Sequence, residues 1–520
     1  DGDKTDFRNQ LGDPLHSEPV LVTYGGSEGD PDITVFMGTN EGFLHAFNGK
    51  TGKEEFAFIP KELLPNLAVM RKNQGSYRSR PYGMDGPITA LVERAGSSAP
   101  TKVDLVAGMR RGGDSYYSLD VSNRASPKLN WQIKGGQGDF AELGQTWSAT
   151  IPAKVQFGGA EESVLFFSGG YDVNQDSPKS DRLSDGVGRA VYMVRASDGK
   201  LLWWAGNPEK GPNLGLSEMQ ASVPASPTVV DLDDNGFADR IYIADTNAKV
   251  FRFDINPSNS GAANFAQGNL FADLGGSDAS QNRRFYNPPD VAFVQPGDVD
   301  PLLTVSLGSG YRAHPLEKGV QDRFYVLFDP DVLPSKRKFF DDGPIDAPDV
   351  ELYDATDNDI GSANAETAAA ARKELFEKRG AFINMRPAEK VLTVSRTFDS
   401  TVVFASFQPG ESNTNLCAAG EGLARLYALD VIGLTPATDL NESGGEPTKG
   451  DRDKELGLGG VPPNPVILFP DSGKQPIEPI TCIGPECVDL GFNVTTTKTF
   501  WTEMDPWTGT APPPTEEPQP

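Results

Sequence analysis

Thr228-Val-Val-Asp-Leu-Asp-Asp-Asn-Gly-Phe-Ala-Asp-Arg-Ile-Tyr-Ile-Ala-Asp-Thr-Asn-Ala-Lys-Val-Phe-Arg-Phe-Asp254 decides the reading of this chain. The runs on either side of the Asp/Asn/Gly segment are rich in β-branched and aromatic residues, so they read as two strands of a hairpin. The turn between them sets side-chain oxygens at relative positions 1, 3, 5 and 9: Asp231, Asp233, Asn235 and Asp239. Gly236 at position 6 permits a sharp bend, and Phe237 at position 7 offers a backbone carbonyl. A hard cation such as Ca²⁺ asks for six to eight oxygens around one point. This register begins like an EF-hand loop, but position 12 is Tyr242 rather than a bidentate Glu, and the flanks are strands rather than helices. The plain alternative is a polar hairpin turn. Three carboxylates converging on one point repel one another without a cation, which favours the metal reading.

The same strand–turn–strand unit recurs along the chain. A short apolar strand is followed by an aromatic-rich strand that closes on Asp or Asn and a Gly-containing turn. The copies run through Ile33–Lys53, Val103–Trp131, Val164–Trp203, the stretch above, Leu302–Asp329 and Ser400–Asp430. The closing residues are Asn48, Asp120, Asp198, Asp254, Asp329 and Asp430, spaced by roughly 55 to 100 residues. Repeats of antiparallel strands that cannot bury both faces alone read as the blades of a β-propeller. A row of β-sandwiches is the competing architecture, and the repeated Ala-Phe-Asn and Ala-Leu-Asp cadence favours the ring. Ser362–Arg379 is dominated by helix formers and stops at Gly380, so a helical insertion is predicted near 362–379. The expected domain layout is a flexible segment 1–10, a propeller 11–505 and a disordered Pro-rich tail 506–520, with a last strand within Leu490–Trp501.

Composition bounds the function. Asp plus Glu number 73 against 47 Lys plus Arg, a net charge of −26. Such a surface excludes a phosphate backbone or an anionic membrane surface as the partner and suits cation capture. No apolar run is long enough to cross a bilayer, so no membrane insertion is expected. The chain opens on Asp1 with neither an initiator Met nor a signal peptide, and is read as a mature piece or an excised fragment. Cys482-Ile-Gly-Pro-Glu-Cys487 has the spacing of a small disulfide loop, which leaves Cys417 over.

Leu11-Gly-Asp-Pro-Leu-His-Ser-Glu-Pro-Val, Gly38-Thr-Asn-Glu-Gly-Phe-Leu-His-Ala-Phe-Asn and Gly108-Met-Arg-Arg-Gly-Gly-Asp-Ser-Tyr-Tyr-Ser-Leu-Asp together resemble the C-terminal domain of the PilC/PilY family of type IV pilus tip proteins. Glu389-Lys-Val-Leu-Thr-Val-Ser-Arg-Thr-Phe and the Cys417 stretch leading into Leu426-Tyr-Ala-Leu-Asp430 extend the likeness over roughly residues 10 to 505. The resemblance implies an all-β, modified seven-bladed, quinoprotein-like β-propeller. It implies one Ca²⁺ loop on Asp231, Asp233, Asn235, Phe237 and Asp239. It further implies an extracellular, pilus-tip, outer-membrane-associated protein of a Gram-negative bacterium, its domain monomeric. Such a protein works with minor pilins, counteracts pilus retraction and adheres to host-cell or abiotic surfaces. Some members carry an Arg-Gly-Asp adhesion motif. Arg111-Gly-Gly-Asp114 is one residue too long for it, so integrin recognition through that motif is not expected.

Catalytic readings fare less well. A quinoprotein dehydrogenase needs tryptophans at one register of the repeat, and many carry adjacent cysteines. The six tryptophans here, at 131, 147, 203, 204, 501 and 507, share no register, and no Cys-Cys pair occurs. His16, His45 and His314 have no nucleophile motif around them. The acidic clusters Asp354–Asp359 and Asp298–Asp300 lack the ligand register and read as solvated loops. A carbohydrate- or protein-binding propeller unrelated to pili is the remaining alternative. The expectation is therefore a non-enzymatic, calcium-binding pilus factor.

Overall fold

In a propeller blade the middle strands are covered on both faces, and here they read as largely apolar runs. Every residue of Arg240–Ala244, Leu302–Gly308 and Arg323–Asp329 is buried. The computed structural model describes residues 11–492 apart from 28, 73–80, 97–98, 178–181, 183, 298, 333–342, 411–421, 443, 446 and 471–477. Segment 1–10, Cys417, residues 493–501 of the expected last strand, and the tail 506–520 lie outside the described residues.

The strands form seven sheets, each built from strands contiguous in sequence. Blade one is Val20–Ser27, Asp30–Gly38, Leu44–Asn48 and Glu54–Phe58; blade two is Ile88–Arg94, Pro100–Gly108, Ser115–Asp120 and Lys128–Lys134. Blade three is Ile151–Phe157, Ala160–Ser168, Ala190–Arg195 and Leu201–Gly206, with Leu214–Gly215 added in parallel. Blade four is Thr228–Val230, Arg240–Ala244, Lys249–Ile255 and Ala266–Asp273. Blade five is Asp290–Val294, Leu302–Gly308, Arg323–Asp329 and Gly380–Asn384, with Tyr353–Asp354 alongside in parallel. In blade six, Lys390–Val391 and Arg396–Phe398 both pair with Thr401–Gln408, followed by Leu423–Asp430 and Asp453–Leu456. Blade seven is three-stranded among the described residues: Val466–Leu468, Ile480–Ile483 and Glu486–Asp489. It falls in a region that the sequence repeat does not mark, so the repeat counts six units where the ring has seven.

Strand alternation distributes side chains between neighbouring blades. Leu165 and Phe167 face blade two, where they meet Val106, Tyr116 and Ile133. Val164 and Phe166, one residue out of phase, face blade four and meet Ile241, Phe251 and Phe253. Tyr242 then turns to blade five, against Val305, Tyr325 and Leu327, and Phe324 and Val326 turn on to blade six against Val402 and Phe404. Phe36 and Leu44 of blade one pack on Leu105 and Leu119 of blade two, and Ala405 and Leu426 of blade six on Ile483 of blade seven. Each large side chain fully buried this way contributes about 1.5–3 kcal/mol. The core is therefore a ring of inter-blade layers rather than one centre.

Leading strands of neighbouring blades approach one another, blade one with two, three with four, four with five, and five with six. They line the axis, and later strands lie progressively outward. The predicted helix is Ala365–Phe376, shorter than the helix-forming stretch because Asn364 caps it, its side chain accepting from the N–H groups of Glu366 and Thr367. It is inserted within blade five, between the third and fourth strands, and seats Ala371 and Leu375 on the blade-five–blade-six layer. Cys482 and Cys487 face each other across the hairpin of blade seven and form a disulfide. No described helix is long and apolar enough to cross a membrane.

Candidate metal centre

The acidic loop joins the first two strands of blade four. Thr228–Val230 pairs antiparallel with Arg240–Tyr242, which leaves Asp231–Asp239 as the hairpin connection. Backbone conformation shapes it: Asp234 has φ 55° and Gly236 φ 87°, both left-handed, as a tight reversal requires. The C-terminal half of the loop is anchored. Asp239 N–H donates to Val230 O at 2.9 Å, Ile255 N–H donates to Asp239 O at 2.7 Å, and Ala238 N–H reaches Lys154 O on blade three at 2.9 Å. Asp239 is buried, whereas Asp233 and Asn235 are exposed.

Hydrogen bonds turn the side chains inward. Asp231 Oδ1 accepts from Asn235 N–H at 3.2 Å and its Oδ2 from Gly236 N–H at 2.7 Å. Asn235 Oδ1 accepts from Phe237 N–H at 2.9 Å, and Asp239 Oδ2 from Leu232 N–H at 2.8 Å. Carboxylate oxygens of Asp231, Asp233 and Asp239 all lie within 4.8 Å of one another. Two unit charges at such a separation repel by roughly 1–4 kcal/mol, depending on exposure. Among the described residues no other group of three acidic, His or Cys side chains gathers in this way. The donor set is all oxygen, with room on the exposed side for water, and so fits a hard divalent cation of the Ca²⁺ type. Tyr242 explains why no twelfth-position ligand exists. It is fully buried and its hydroxyl donates to Asp329, inward from the loop.

Directly below the loop lies a charge network that sequence reasoning missed. Arg240 and Arg252 on blade four meet Asp254, Asp329 and Asp331, all five side chains being 7% exposed or less. Arg252 reaches Asp254 at 2.7 Å, Asp329 at 3.0 Å and Asp331 at 2.6 Å. In the sequence, Asp254 and Asp329 stand out only as residues that close a repeat. Elsewhere those closing residues act locally. Asn48, Asp120, Asp198 and Asp430 accept backbone N–H groups two or three residues on, as Asx turns between third and fourth strands. The alternating Arg240-Ile-Tyr242 and Arg252-Phe-Asp254 pattern on adjacent strands is the one signal for the network.

The histidines are held in structural bonds. His16 Nδ1 lies 2.8 Å from Asp85, His45 Nδ1 3.3 Å from Glu54, and His314 Nε2 2.7 Å from Asp176 O.

Fold and site together define a class: a seven-bladed β-propeller carrying one acidic hairpin loop on its fourth blade. The chain belongs to the PilY1 beta-propeller domain family, whose profile matches residues 3–273. It is 26% identical over 312 residues to the type IV pilus biogenesis factor PilY1 of Pseudomonas aeruginosa, covering 56% of this chain and 23% of that protein. It is 33% identical over 219 residues to a PilY1 homolog of Xylella fastidiosa, covering 42% of this chain and 16% of that protein. The chain thus spans a quarter or less of the length of these curated relatives. The crystal structure of the Pseudomonas aeruginosa PilY1 C-terminal domain superposes with a TM-score of 0.56 at 18% identity, covering 88% of this chain and 92% of that one, a likeness of fold.

Proposed function

We propose that this chain is the calcium-binding, non-catalytic propeller of a type IV pilus biogenesis and adhesion factor. It acts outside the cell at the pilus tip, associated with the outer membrane, with minor pilins as partners and a host-cell or abiotic surface as the adhesive target. The observation that carries the reading is the gathering of Asp231, Asp233 and Asp239 on one blade of a propeller whose relatives are named pilus biogenesis factors. Asp231, Asp233, Asn235, Asp239 and the Phe237 carbonyl would hold the ion. Ca²⁺ there supplies positive charge that offsets the clustered carboxylates. The anchored half of the loop, Ala238 and Asp239, needs no ion for its geometry, because backbone bonds to blade three and to Val230 already fix it. The exposed half, Asp231 to Gly236, has mainly its own short turns, and its order is what ion binding biases. A loop of two states on the propeller surface gives the pilus machinery something to read without any chemistry being performed.

Titration calorimetry on the EDTA-stripped chain tests this, with Asp233→Ala alongside, followed by capture of purified minor pilins with and without calcium. One saturable site lost in the variant, with pilin capture that follows calcium, supports the proposal. A chain that binds no calcium reduces the loop to a turn. Binding of calcium without any effect on pilin capture removes the regulatory part of the reading.

A further inference from the structure

The end of the ring opposite the acidic loop holds a second convergence of side chains, and its charge is positive. In an up-and-down four-stranded blade, turns between strands one and two lie at one end. Turns between strands two and three, and the crossings between blades, lie at the other. The Asp231 loop is of the first kind. Arg110, Tyr171, Tyr311 and Arg312 sit in turns between second and third strands, while Asp85, Trp147 and Tyr286 sit in blade-to-blade crossings. They come from blades two, three and five and the crossings beside them, yet they meet. Tyr311 OH of blade five donates to Gln175 O of blade three at 2.7 Å, passing over blade four, which places the group at the axis.

The floor is aromatic. Trp147, Tyr171, Tyr286 and Tyr311 form one buried cluster, with the Trp147 and Tyr171 rings stacked at 4.1 Å. Four guanidiniums gather on it. Two are committed. Arg111 makes a bidentate pair with Asp176 at 2.9 and 3.0 Å, and Arg284 lies 3.9 Å over Tyr311 while donating to Gln175 Oε1 and Asn282 O. Two are not. Arg110 lies 4.3 Å over Trp147, and its buried Nε has no hydrogen-bond partner among the described residues. Arg312 donates from Nη1 to Leu392 O at 2.7 Å and, among the described residues, pairs with no carboxylate. The opposite charges that act on Arg110 are Asp85 and Glu18, and neither lies within ion-pair distance. Asp85 turns its Oδ2 to His16, at 2.8 Å, and its buried Oδ1 meets no donor among the described residues, Arg110 included. Tyr286 OH is buried beside Arg312 and near the Tyr171 hydroxyl, and no hydrogen bond of good geometry satisfies it among the described residues.

Two guanidiniums that form no ion pair among the described residues and repel each other are costly on any protein, and here they persist in a chain of net charge −26 that has carboxylates to spare. Burial and the neighbouring Arg312 charge push Arg110 down to about 9, which a bound anion would reverse. Arg110 is also kept at φ 48°, a left-handed conformation that a non-glycine residue adopts at a cost. We infer that this mouth of the propeller binds a small oxyanion, a carboxylate or phosphate group, gripped between the half-buried forks of Arg110 and Arg312 beside the Tyr286 hydroxyl. The fork geometry of guanidinium matches either anion, so the chemistry is shared and the source is what the experiment separates.

The test is calorimetric titration of the whole chain in calcium-free, low-salt buffer with succinate, with inorganic phosphate, and with the neutral amide succinamide as control. Arg312→Gln and Arg110→Asn are titrated alongside; Asn tolerates the left-handed backbone at 110. Thermal melts verify that each variant folds, and Arg312→Gln carries the test should Arg110→Asn not fold. Saturable binding of succinate or of phosphate, no binding of succinamide, and weakening of at least about tenfold in every folded variant support the site. Succinate binding assigns the carboxylate source and phosphate binding the other. Failure of both anions to bind, or equal binding by a folded variant and the unaltered chain, overturns it.

Discussion

Arg252 on blade four donates from one nitrogen, Nη1, to both carboxylate oxygens of Asp329 on blade five, each at 3.0 Å. The pair is sealed from water: Arg252 is 2% exposed and Asp329 1%. Such a contact does more to specify which blade follows which than to stabilise the ring, because desolvation consumes much of the attraction. Removing one partner is another matter. Asp329→Ala takes one carboxylate from Arg252 and Arg240, which keep Asp254 and Asp331, and takes the acceptor from the buried Tyr242 hydroxyl. Denaturant unfolding should show a loss of about 1–3 kcal/mol for this variant, the cost of a buried hydroxyl and guanidinium N–H left without their acceptor. Asp329→Asn, which keeps an acceptor for Tyr242, should lose less.

A second buried carboxylate sets a pH dependence. Asp245, fully buried in the turn between the second and third strands of blade four, is pushed up to about 7 by burial. Its Oδ1 accepts from the N–H groups of Asn247 and Lys249, which offsets burial in part, and its Oδ2 has no partner among the described residues. Between its unfolded value of 3.8 and about 7 the folded state holds the proton more tightly. Stability from this group is therefore fully present below about pH 4 and declines as pH rises to about 7, flat beyond. Asp245→Asn keeps the accepting oxygen and cannot ionise. Its melting temperature relative to the unaltered chain should rise across that window and exceed it at pH 8. Equal pH profiles for the two would show that Asp245 is not protonated in the fold.

What could be read from the sequence, and what could not, follows from where the information sits. Runs such as Val164–Phe167 and Thr401–Phe407 are legible because both faces of a middle strand are buried, and the closing Asn48, Asp120, Asp198 and Asp430 are legible because each makes its own turn. The leading strands of blades four and six are short, so Thr228–Val230 and Lys390–Val391 carry almost no pattern. Blade seven escapes for the same reason, since Val466–Leu468 offers three partly exposed residues. The acidic loop was legible because its donors are contiguous. Arg110 and Arg312 meet from positions about two hundred residues apart, and the Arg252–Asp329 pair spans 77, separations at which a single sequence holds no signal.

The disulfide gives a local test of blade seven. Cys482 and Cys487 close a loop with a sequence separation of five, and the chain-entropy rule assigns so small a loop roughly 2 kcal/mol. Blade seven packs on blade six through Ile483, Leu490 and Phe492, so the loss on reduction should stay there. Reduced chain, or the double variant Cys482→Ser with Cys487→Ser, should show faster amide exchange across Ile480–Asp489 while blades two to five keep their protection. Uniform loss of protection around the ring would instead mean that blade seven is needed to close it.

Asp233 separates ion binding from loop folding. Asp231 and Asp239 each accept backbone N–H groups, so replacing them disturbs the turn whether or not an ion is bound. Asp233 is exposed, and no hydrogen bond to its carboxylate is present among the described residues. Without calcium, Asp233→Ala should therefore melt within about 0.5 kcal/mol of the unaltered chain, as exposed substitutions do. It should even gain slightly, since one member of a repelling trio is gone. With calcium at a hundred times its dissociation constant, the unaltered chain should gain about 2.7 kcal/mol and the variant nothing. Asp239→Ala should lose about 1–3 kcal/mol already in the absence of calcium, because the Leu232 N–H loses its buried acceptor. Differential scanning calorimetry of the three chains, with calcium and with EDTA, measures all of these differences. If Asp233→Ala kept the calcium shift, the ion would be held elsewhere; if it collapsed without calcium, Asp233 would be part of the turn itself.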